Sequence, residues 1–421
     1  ARVAPCGLLE PIAMLKSALL TAVEATRENV VQHRRHLHRH PEPSFGETKT
    51  SAYIAAALRS IGIEFSDGWC AEHGAAGIVA KVEGLDAGTR SMALRADMDA
   101  LPIQEVERPH ASAVPGWMHA CGHDAHTACL LGAVEALHAT RDQWSGTVHC
   151  VFQPGEETLP GGASILVQEG ALHTNAPTTG PRMAGGPLVD GIVGQHVYPQ
   201  LDAGTVGFRS GAYMAAADEL RIRIVGKGGH AALPHRTVDP IVAAAHVITA
   251  LQTVVSRSCD PTQPSVLTIG KIRGGYARNV IPDEVVLDGT LRTYDMATAE
   301  QLRSAIERVA VATAQAYGAI AEVDLAIGYP PVVNAPALTE SCRKRAIELI
   351  GAQHVVELPL RMTGEDFSFY QREVEGCFYR LGTGGDGPGC RSGLHTAQFD
   401  IDERALTTGT AMMAWLAATE V

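Results

Sequence analysis

The chain has no excess of basic residues. Its 421 residues include 34 Lys and Arg against 46 Asp and Glu, which gives a formal net charge of -12 at pH 7. A surface that binds nucleic acid needs clustered positive charge to neutralise the phosphates. The composition therefore argues against nucleic acid as a partner, while 46% hydrophobic and 19% charged residues are ordinary for a globular protein.

Paired C-x-x-C motifs are also missing. The nine cysteines are scattered along the chain, unlike those of a small disulfide-stapled domain or of a structural zinc ribbon. We therefore expect a reducing compartment and a cytoplasmic location.

The sequence has few long hydrophobic runs. The apolar stretch between residues 8 and 23 is interrupted by Glu10, Pro11 and Lys16, so it predicts neither a signal peptide nor a membrane span. We expect that no other window reaches membrane length and that the protein has no membrane partner.

Several common catalytic motifs are absent. The sequence contains no H-E-x-x-H, no G-x-S-x-G and no P-loop, which argues against zincins, serine hydrolases and nucleotide hydrolases. It also lacks the H-x-E and P-C-x-x-C pair of nucleobase deaminases.

What the sequence does contain is an alternation of helix and strand patterns. Helical spacing of apolar residues alternates with short apolar runs typical of buried strands, the helices covering 19–39, 48–61 and 127–139 and the strands 92–96, 146–152 and 191–197. This alternation predicts an α/β fold with a mainly parallel sheet covered by helices.

A dense group of metal-capable side chains lies next to one predicted helix start. His119, Cys121, His123, Asp124 and His126 fall within eight residues. A lone cysteine at such a place is more often a small buried apolar residue, but this density has no packing rationale. We therefore predict Cys121 and His123 as metal ligands.

Two adjacent carboxylates, Glu156 and Glu157, follow an apolar strand and a Pro-Gly turn. Most adjacent acidic residues are simply a solvated pair. Open α/β sheets, however, bind ligands at the carboxyl ends of their strands, and Asp97 and Asp99 follow another strand in the same way. Two neighbouring carboxylates can divide the work, since one coordinates a metal while the other accepts a proton from water.

The richest histidine tract, residues 33–41, is not predicted as a metal site. Its arginines would repel a cation, and at helical spacing its histidines lie on several faces. Taken alone, His196 and His395 are also more typical of hydrogen-bonded structural histidines than of ligands.

Longer motifs are spread over nearly the whole chain. They are His40-Pro41-Glu42 with Phe45-Gly46-Glu47, residues 95–102, 118–126, 152–157, 226–235 and 279–282, and Gly364-Glu365-Asp366-Phe367. Together they resemble the dinuclear aminoacylase/carboxypeptidase metallopeptidase family, in the amidohydrolase branch that contains hippurate hydrolase and the plant auxin-conjugate hydrolases.

The resemblance implies a set of site residues. Two divalent ions would be held by Cys121, His123, Glu157, His196 and His395. Glu156 would be the catalytic base, and Asp99 would contact the metal ligands without binding an ion itself. A thiolate ligand favours zinc, and manganese, cobalt and nickel are also associated with this branch.

The pattern between residues 215 and 328 differs from the rest and reads as one β-α-β-β-α-β, ferredoxin-like unit. Because the implied ligand His395 follows this unit, we expect it to be inserted into a catalytic domain made of residues 1–214 and 329–421. The resemblance implies that the unit is a lid and homodimerisation domain.

The resemblance also gives this unit site residues. His230 would stabilise the oxyanion, in the catalytic centre of the partner subunit, where a structural histidine in a Gly-rich hairpin is the alternative. Asn279 and Arg292 would hold the free carboxylate of the substrate, although Arg292 could equally be a solvated charge in an alternating strand.

These observations lead to the hypothesis that the protein hydrolyses N-acyl amino acids to a carboxylate and a free amino acid. Glu156 would take a proton from a water shared by the two ions and return it to the leaving amine. The alternatives are a dipeptidase or carboxypeptidase on the same scaffold, a non-catalytic metal-binding dimeric scaffold, or a redox sensor in which oxidation of Cys121 ejects the metal.

Overall fold

The computed structural model describes residues 9–88, 90–175 and 186–420. The helices in this part of the chain are α1 Leu9–Arg39, α2 Thr48–Ile61, α3 His123–Ala139, α4 Gly162–Gln168, α5 Pro240–Thr253, α6 Met296–Ala316, α7 Pro336–Ile350 and α8 Arg404–Glu420. The strands are β1 Glu64–Trp69, β2 Gly77–Glu83, β3 Ser91–Asp97, β4 Thr147–Gln153, β5 Gly191–Asp202, β6 Val206–Phe208, β7 Gly211–Met214, β8 Ala216–Val225, β9 Gly229–His230, β10 Ser265–Gly274, β11 Val280–Ile281, β12 Glu284–Thr293, β13 Ile320–Tyr329, β14 Val332–Asn334, β15 Val355–Glu357 and β16 Glu375–Gly384.

The chain divides into two compact units. A large mixed sheet with the strand order β1-β2-β4-β3-β5-β16-β6-β15 forms the centre of the first unit. Among the described residues, four of its seven strand pairings are parallel: β3 with β4, β3 with β5, β5 with β16, and β6 with β15. The predicted α/β class with a mainly parallel sheet is confirmed.

The central strands are buried along their whole length because helices cover the sheet. All seven residues of β3 and all seven of β4 are buried, as is typical of parallel strands with both faces covered. Helices α1, α3 and α8 pack against one another, and Leu19, Val30, Leu131 and Trp415 belong to the core that they share with the sheet.

Four neighbouring strands carry or precede the predicted site residues. In the order β4, β3, β5 and β16, they lead to Glu156, Asp99, His196 and His395. Strand β5 continues beyond its partner, since β3 pairs with it as far as Arg95 opposite Gly194. His196 therefore lies just past the end of this pairing, where open α/β sheets place their ligands.

The second unit has its own antiparallel sheet with the strand order β10-β12-β8-β13. Helices α5 and α6 pack on it and on each other, and the core between them includes Ile222, Val247, Leu287 and Ile306. A short two-stranded ribbon joins β9 to β11. The large elements follow one another in the order β8, α5, β10, β12, α6 and β13, which is β-α-β-β-α-β.

The boundaries of the two units differ from the expected ones in detail. One unit runs to Gly211 and resumes over Val333–Pro359 and from Phe369 onward, and the other comprises Ala212–Val332 and Leu360–Ser368. The short segment Leu360–Ser368 was expected in the catalytic domain. Its backbone joins that of the second unit, where Ala215 N donates to the Arg361 carbonyl at 3.1 Å. The role of this unit as a lid and dimerisation domain stays a prediction.

One expectation about hydrophobic runs is wrong. The helix from Pro240 to Ser258 spans 19 residues with a mean hydropathy of 1.3, so by length and composition alone it could cross a membrane. In the structure its buried residues, including Ala243, Val247 and Leu251, belong to the core of the second unit.

Candidate metal centre

A glycine corner places Cys121 and His123 at the start of α3. Gly122 between them has φ +84°, and a Cβ there would come within 2.5 Å of Val197 Cγ2 and 3.4 Å of Phe399 Cζ. A side chain at this position would therefore be both strained and crowded. The corner lets the chain turn into the helix with the thiol and the imidazole both buried.

Asp99 fixes the ring of His123. Its Oδ1 lies 3.1 Å from His123 Nδ1, and its Oδ2 accepts hydrogen bonds from Glu157 N at 2.9 Å and from Ser44 Oγ at 2.7 Å. Because a carboxylate only accepts, Nδ1 of His123 carries the proton and the lone pair of the neutral ring is on Nε2. That buried Nε2 has no hydrogen-bond partner among the described residues, as expected of an atom that binds a metal.

Charge around His123 also favours a cation. Burial alone lowers the pKa of His123, but the charges of Asp97 and Cys121 and the hydrogen bond to Asp99 outweigh it and raise this pKa well above its ordinary value. A metal ion would compete with that proton, because the same negative charges stabilise both.

The two carboxylates are presented by a tight turn after β4. Gly155 has φ +65° and Gly162 lies so close to Pro154 that a Cβ on it would come within 1.7 Å of the Pro154 carbonyl oxygen. Glu156 is buried, with 7% of its surface exposed. Glu157 Oε1 lies 3.2 Å from His395 Nε2 and 3.9 Å from His123 Nε2, between the two imidazoles.

His196 and His395 approach the thiol from two other elements. His196 Nε2 is 3.4 Å and His395 Nε2 is 3.3 Å from Cys121 Sγ. His196 Nδ1 lies 2.8 Å from the Val197 carbonyl, which only accepts, so the lone pair of His196 is on the Nε2 that faces the thiol. Burial lowers the pKa of His196 well below its ordinary value, and the ring is therefore neutral.

The opposite shift at His395 has a local cause. Its side-chain hydrogen bonds to Cys121 and Glu157 raise the pKa of His395 to about 10. Burial, followed by the charge of Glu157, raises the pKa of the Cys121 thiol. A thiol, a carboxylate and an imidazole thus meet at a point where positive charge is stabilised.

The ligand atoms fall into two groups that share Cys121. One group is Cys121, His123 and His196, and the other is Cys121, Glu157 and His395, with the atoms of each group within 4.8 Å of one another. His123, Glu156 and Glu157 form a further group that joins them. Thiolate, imidazole and carboxylate are the ligand types of zinc and similar divalent ions. The residues fit two metal ions.

A fourth group, Asp97, His123 and His126, is connected by hydrogen bonds within the protein. His126 Nδ1 lies 2.5 Å from Asp97 Oδ1, and His126 Nε2 accepts from Val197 N at 2.9 Å. Asp97 Oδ2 accepts from Arg95 at 2.6 Å. Since both nitrogens of His126 make hydrogen bonds within the protein, His126 has no free ligand atom and supports the strand that carries His196.

A comparison with known proteins shows the family of this chain. The family model described as peptidase family M20/M25/M40 matches residues 93–419. The chain belongs to that family. In Bacillus subtilis (strain 168), an N-acetyl-L-cysteine deacetylase is 39% identical over 374 residues, 89% of this chain and 83% of that protein. An N-acyl-L-amino acid amidohydrolase of Geobacillus stearothermophilus is 41% identical over 323 residues, 76% and 82% of the two chains.

A solved structure extends the comparison to the fold. A dinuclear metal binding peptidase of the M20 family from Bacillus subtilis superposes with a TM-score of 0.77 and 34% identity, covering 94% of this chain and 99% of that one. Like other members of the M20 family, the chain is a hydrolytic enzyme that acts on amides.

The remaining predicted residues of this M20 enzyme lie in the second unit. His230 is in β9 opposite Val280 of β11, and the carbonyl of Asn279 accepts from Ala231 N at 3.1 Å. The ribbon thus brings His230 and Asn279 together on an exposed surface. His230 Nδ1 accepts from Ala232 N at 3.1 Å, which leaves Nε2 as the outward atom.

Arg292 is not part of this ribbon. It lies in β12 opposite Ala217, and its guanidinium contacts the Thr290 side chain and the Asp218 carbonyl. Burial lowers the pKa of Arg292. These contacts within its own sheet explain the residue without a substrate, and its predicted role stays a prediction.

Sequence reasoning missed the residues that support the centre. The dense group around His126 predicts no hydrogen bond between this residue and the Val197 N–H, and the histidine-rich tract predicts no role for Arg34 or His38. The spacing of Arg34 and His38, four residues apart on one helix, was the available signal, since such pairs share a helix face.

Proposed function

We propose that this enzyme hydrolyses the amide bond of N-acyl-L-amino acids, with Glu156 as the general base. The observation that carries the proposal is that five side chains form two groups, each with its ligand atoms close enough to bind one cation, and that Glu156 lies directly beside them. The five are Cys121, His123, Glu157, His196 and His395. The names of the two relatives, a deacetylase of an N-acetyl amino acid and an N-acyl-L-amino acid amidohydrolase, support this substrate class.

The five ligands would hold two divalent ions. When bound, such ions lower the pKa of water and polarise the acyl carbonyl. Zinc is the first expectation because Cys121 is a soft ligand, and manganese, cobalt or nickel are the alternatives.

Glu156 moves the proton. Its carboxylate lies within 4.8 Å of ligand atoms of His123 and Glu157, in a buried position where water is scarce. It takes a proton from the attacking water and gives it to the nitrogen of the leaving amino acid. Glu157, by contrast, would bind the cations, and a carboxylate that binds a cation is a poor base.

Three residues of the second unit would act on the substrate. His230 would stabilise the oxyanion in the catalytic centre of the partner subunit, and Asn279 with Arg292 would bind the free carboxylate of the substrate. We also propose that two copies of the chain associate through this unit as a homodimer and that the enzyme is cytoplasmic.

The direct test is Glu156→Gln, which keeps the shape of the side chain and removes the base. We expect metal content to be retained while kcat on an N-acyl amino acid falls by about 10²- to 10⁴-fold. Glu157→Gln is the matched control, because it should lose metal as well as activity. Near-normal turnover by Glu156→Gln would overturn the assignment.

A dipeptidase or carboxypeptidase activity is the second candidate, because the chain belongs to a family of peptidases. A panel of N-acetyl, N-benzoyl and longer N-acyl amino acids, assayed beside dipeptides, separates the two. A higher kcat/KM on dipeptides than on every acyl amino acid would favour the second candidate.

A further inference from the structure

The histidine-rich tract contains two buried residues that the metal ligands do not explain. Arg34 and His38 in α1 are each 0% exposed, whereas Arg35, His36 and His40 are exposed. A buried guanidinium is costly unless several acceptors surround it.

Arg34 has those acceptors on three sides. Its Nε donates to Asp124 Oδ2 at 2.9 Å, its Nη2 to Asp400 Oδ1 at 2.7 Å, and its Nη1 to Glu403 Oε1 at 3.4 Å. A guanidinium is planar and its donors point in fixed directions, so it sets the relative position of the groups it binds.

The first two acceptors lie on the two segments that carry ligands. Asp124 directly follows His123 at the start of α3, and Asp400 follows His395 by five residues in the loop before α8. Asp400 is itself nearly buried, and its Oδ2 lies 2.7 Å from Arg108 and 3.1 Å from His110. The buried guanidinium of Arg34 therefore connects the Cys121–Asp124 segment to the loop that carries His395.

The position of His395 depends on its loop, because surrounding side chains cover it less than they cover His123. Its side chain is 52% exposed, against 0% for His123, and its backbone has φ +60°. Near the ligand the loop is joined to the Cys121 segment by a hydrogen bond from His395 N to the Ala120 carbonyl at 2.9 Å. Phe399 of the same loop lies close to Gly122, since a Cβ added there would come within 3.4 Å of its Cζ.

We propose that Arg34 and Asp400 are positioning residues of the metal centre. By tying the loop to the start of α3, they set the separation of Cys121 and His395 and hence the affinity of the cation bound by Cys121, Glu157 and His395. The cation bound by Cys121, His123 and His196 has no ligand on the His395 loop, so we expect the contact to affect it much less. The inference rests on the proposed two-metal function.

A purely structural ion pair makes a different prediction. If the contact only stabilised the fold, its loss would lower the stability of the metal-free protein and weaken both cations together. A positioning role weakens one cation selectively.

The test uses Asp400→Asn in the full-length chain, with Glu403→Gln as the matched control. Glu403 also accepts from Arg34, but it lies beyond the ligand loop, directly before α8, and pairs with Arg35 as well. Metal-free protein is titrated with Co²⁺, and each binding step is followed by its absorption spectrum and by competition with a chromophoric chelator. Thermal unfolding of the metal-free variants measures the structural effect separately.

We expect two Co²⁺ steps in the wild type. In Asp400→Asn one step should weaken by about 10- to 100-fold, while the other stays within about 2-fold, and in Glu403→Gln both should stay within about 2-fold. If Asp400→Asn does not fold, Arg34→Lys, which keeps the charge but loses the fork, should show the same selective weakening.

Two results would overturn the inference. Unchanged binding in Asp400→Asn, or equal weakening of both steps, would remove the positioning role while leaving the proposed function intact. Fewer than two Co²⁺ steps in the wild type would instead refute the two-metal centre itself, and the inference with it.

Discussion

Asp99→Asn tests how the site prepares its ligands. Both oxygens of Asp99 accept hydrogen bonds, Oδ1 from His123 Nδ1 at 3.1 Å and Oδ2 from Glu157 N at 2.9 Å and Ser44 Oγ at 2.7 Å. Asparagine offers one oxygen and one NH₂ group, so one side of the amide must present a donor to a donor.

Either orientation of the amide harms the centre. The backbone N–H of Glu157 cannot reverse its role, so we expect the amide oxygen to face it and the NH₂ to face His123. The ring of His123 then carries its proton on Nε2 instead of Nδ1, and the lone pair leaves the atom that faces Cys121 and Glu157. In the other orientation the buried Glu157 N–H loses its acceptor and the ligand turn shifts.

The magnitude follows from the loss of one oriented ligand. Mutations of residues that orient metal-binding histidines cost about 10- to 100-fold in metal affinity, which corresponds to about 1.4 to 2.8 kcal/mol. The assay is a Zn²⁺ competition titration of metal-free protein. Ser44→Ala is the control, because it removes one hydrogen bond to Asp99 without changing which atoms donate, and its affinity should stay near that of the wild type. Wild-type affinity in Asp99→Asn would refute the reasoning.

Two further predictions concern stability. Burial, and then the charge of Lys81, lowers the pKa of His149 to about 4, so the unfolded chain binds a proton more readily than the folded one between pH 6.5 and 4. The stability that this residue contributes is present above pH 6.5 and falls by about 3 kcal/mol as the pH drops to 4. In urea unfolding, the free energy of unfolding of His149→Asn should therefore fall less steeply with decreasing pH than that of His246→Asn, a control at an exposed site. Equal dependence on pH in the two variants would contradict the prediction. In the second unit, Asp218 accepts from Arg303 at 2.8 and 3.0 Å in a buried pair, so Asp218→Asn should lower the free energy of unfolding by about 3 to 5 kcal/mol. Asp288→Asn, on the more exposed face of that sheet, should lower it by about 1 kcal/mol or less. Similar losses for the two variants in denaturant unfolding would show that burial does not govern these ion pairs.

Much of the fold could be predicted from the sequence because local patterns express it. The apolar run before Asp97 predicted a buried strand, and β3 is buried throughout. The β-α-β-β-α-β order was readable because each amphipathic element of that unit faces its own core. The placement of Leu360–Ser368 was not readable, since which unit a short segment joins depends on contacts far apart in sequence.

The candidate site was predictable to the extent that its residues are locally dense. Cys121 and His123 stand in one motif, and Glu156 with Glu157 follows a strand end. His196 and His395 are isolated in the sequence, and only the family resemblance pointed to them. The supporting residues Arg34 and His126 were not predicted because their roles are hydrogen bonds to partners in other elements, such as Asp400 and Val197 N.

The most direct test of the two-metal centre is the number of divalent ions bound per chain, measured by elemental analysis on dialysed wild type and on Cys121→Ala side by side. Because Cys121 Sγ belongs to both groups of ligand atoms, we expect two ions in the wild type and at most one in the variant. Fewer than two ions in the wild type, or an unchanged number in Cys121→Ala, would contradict the account.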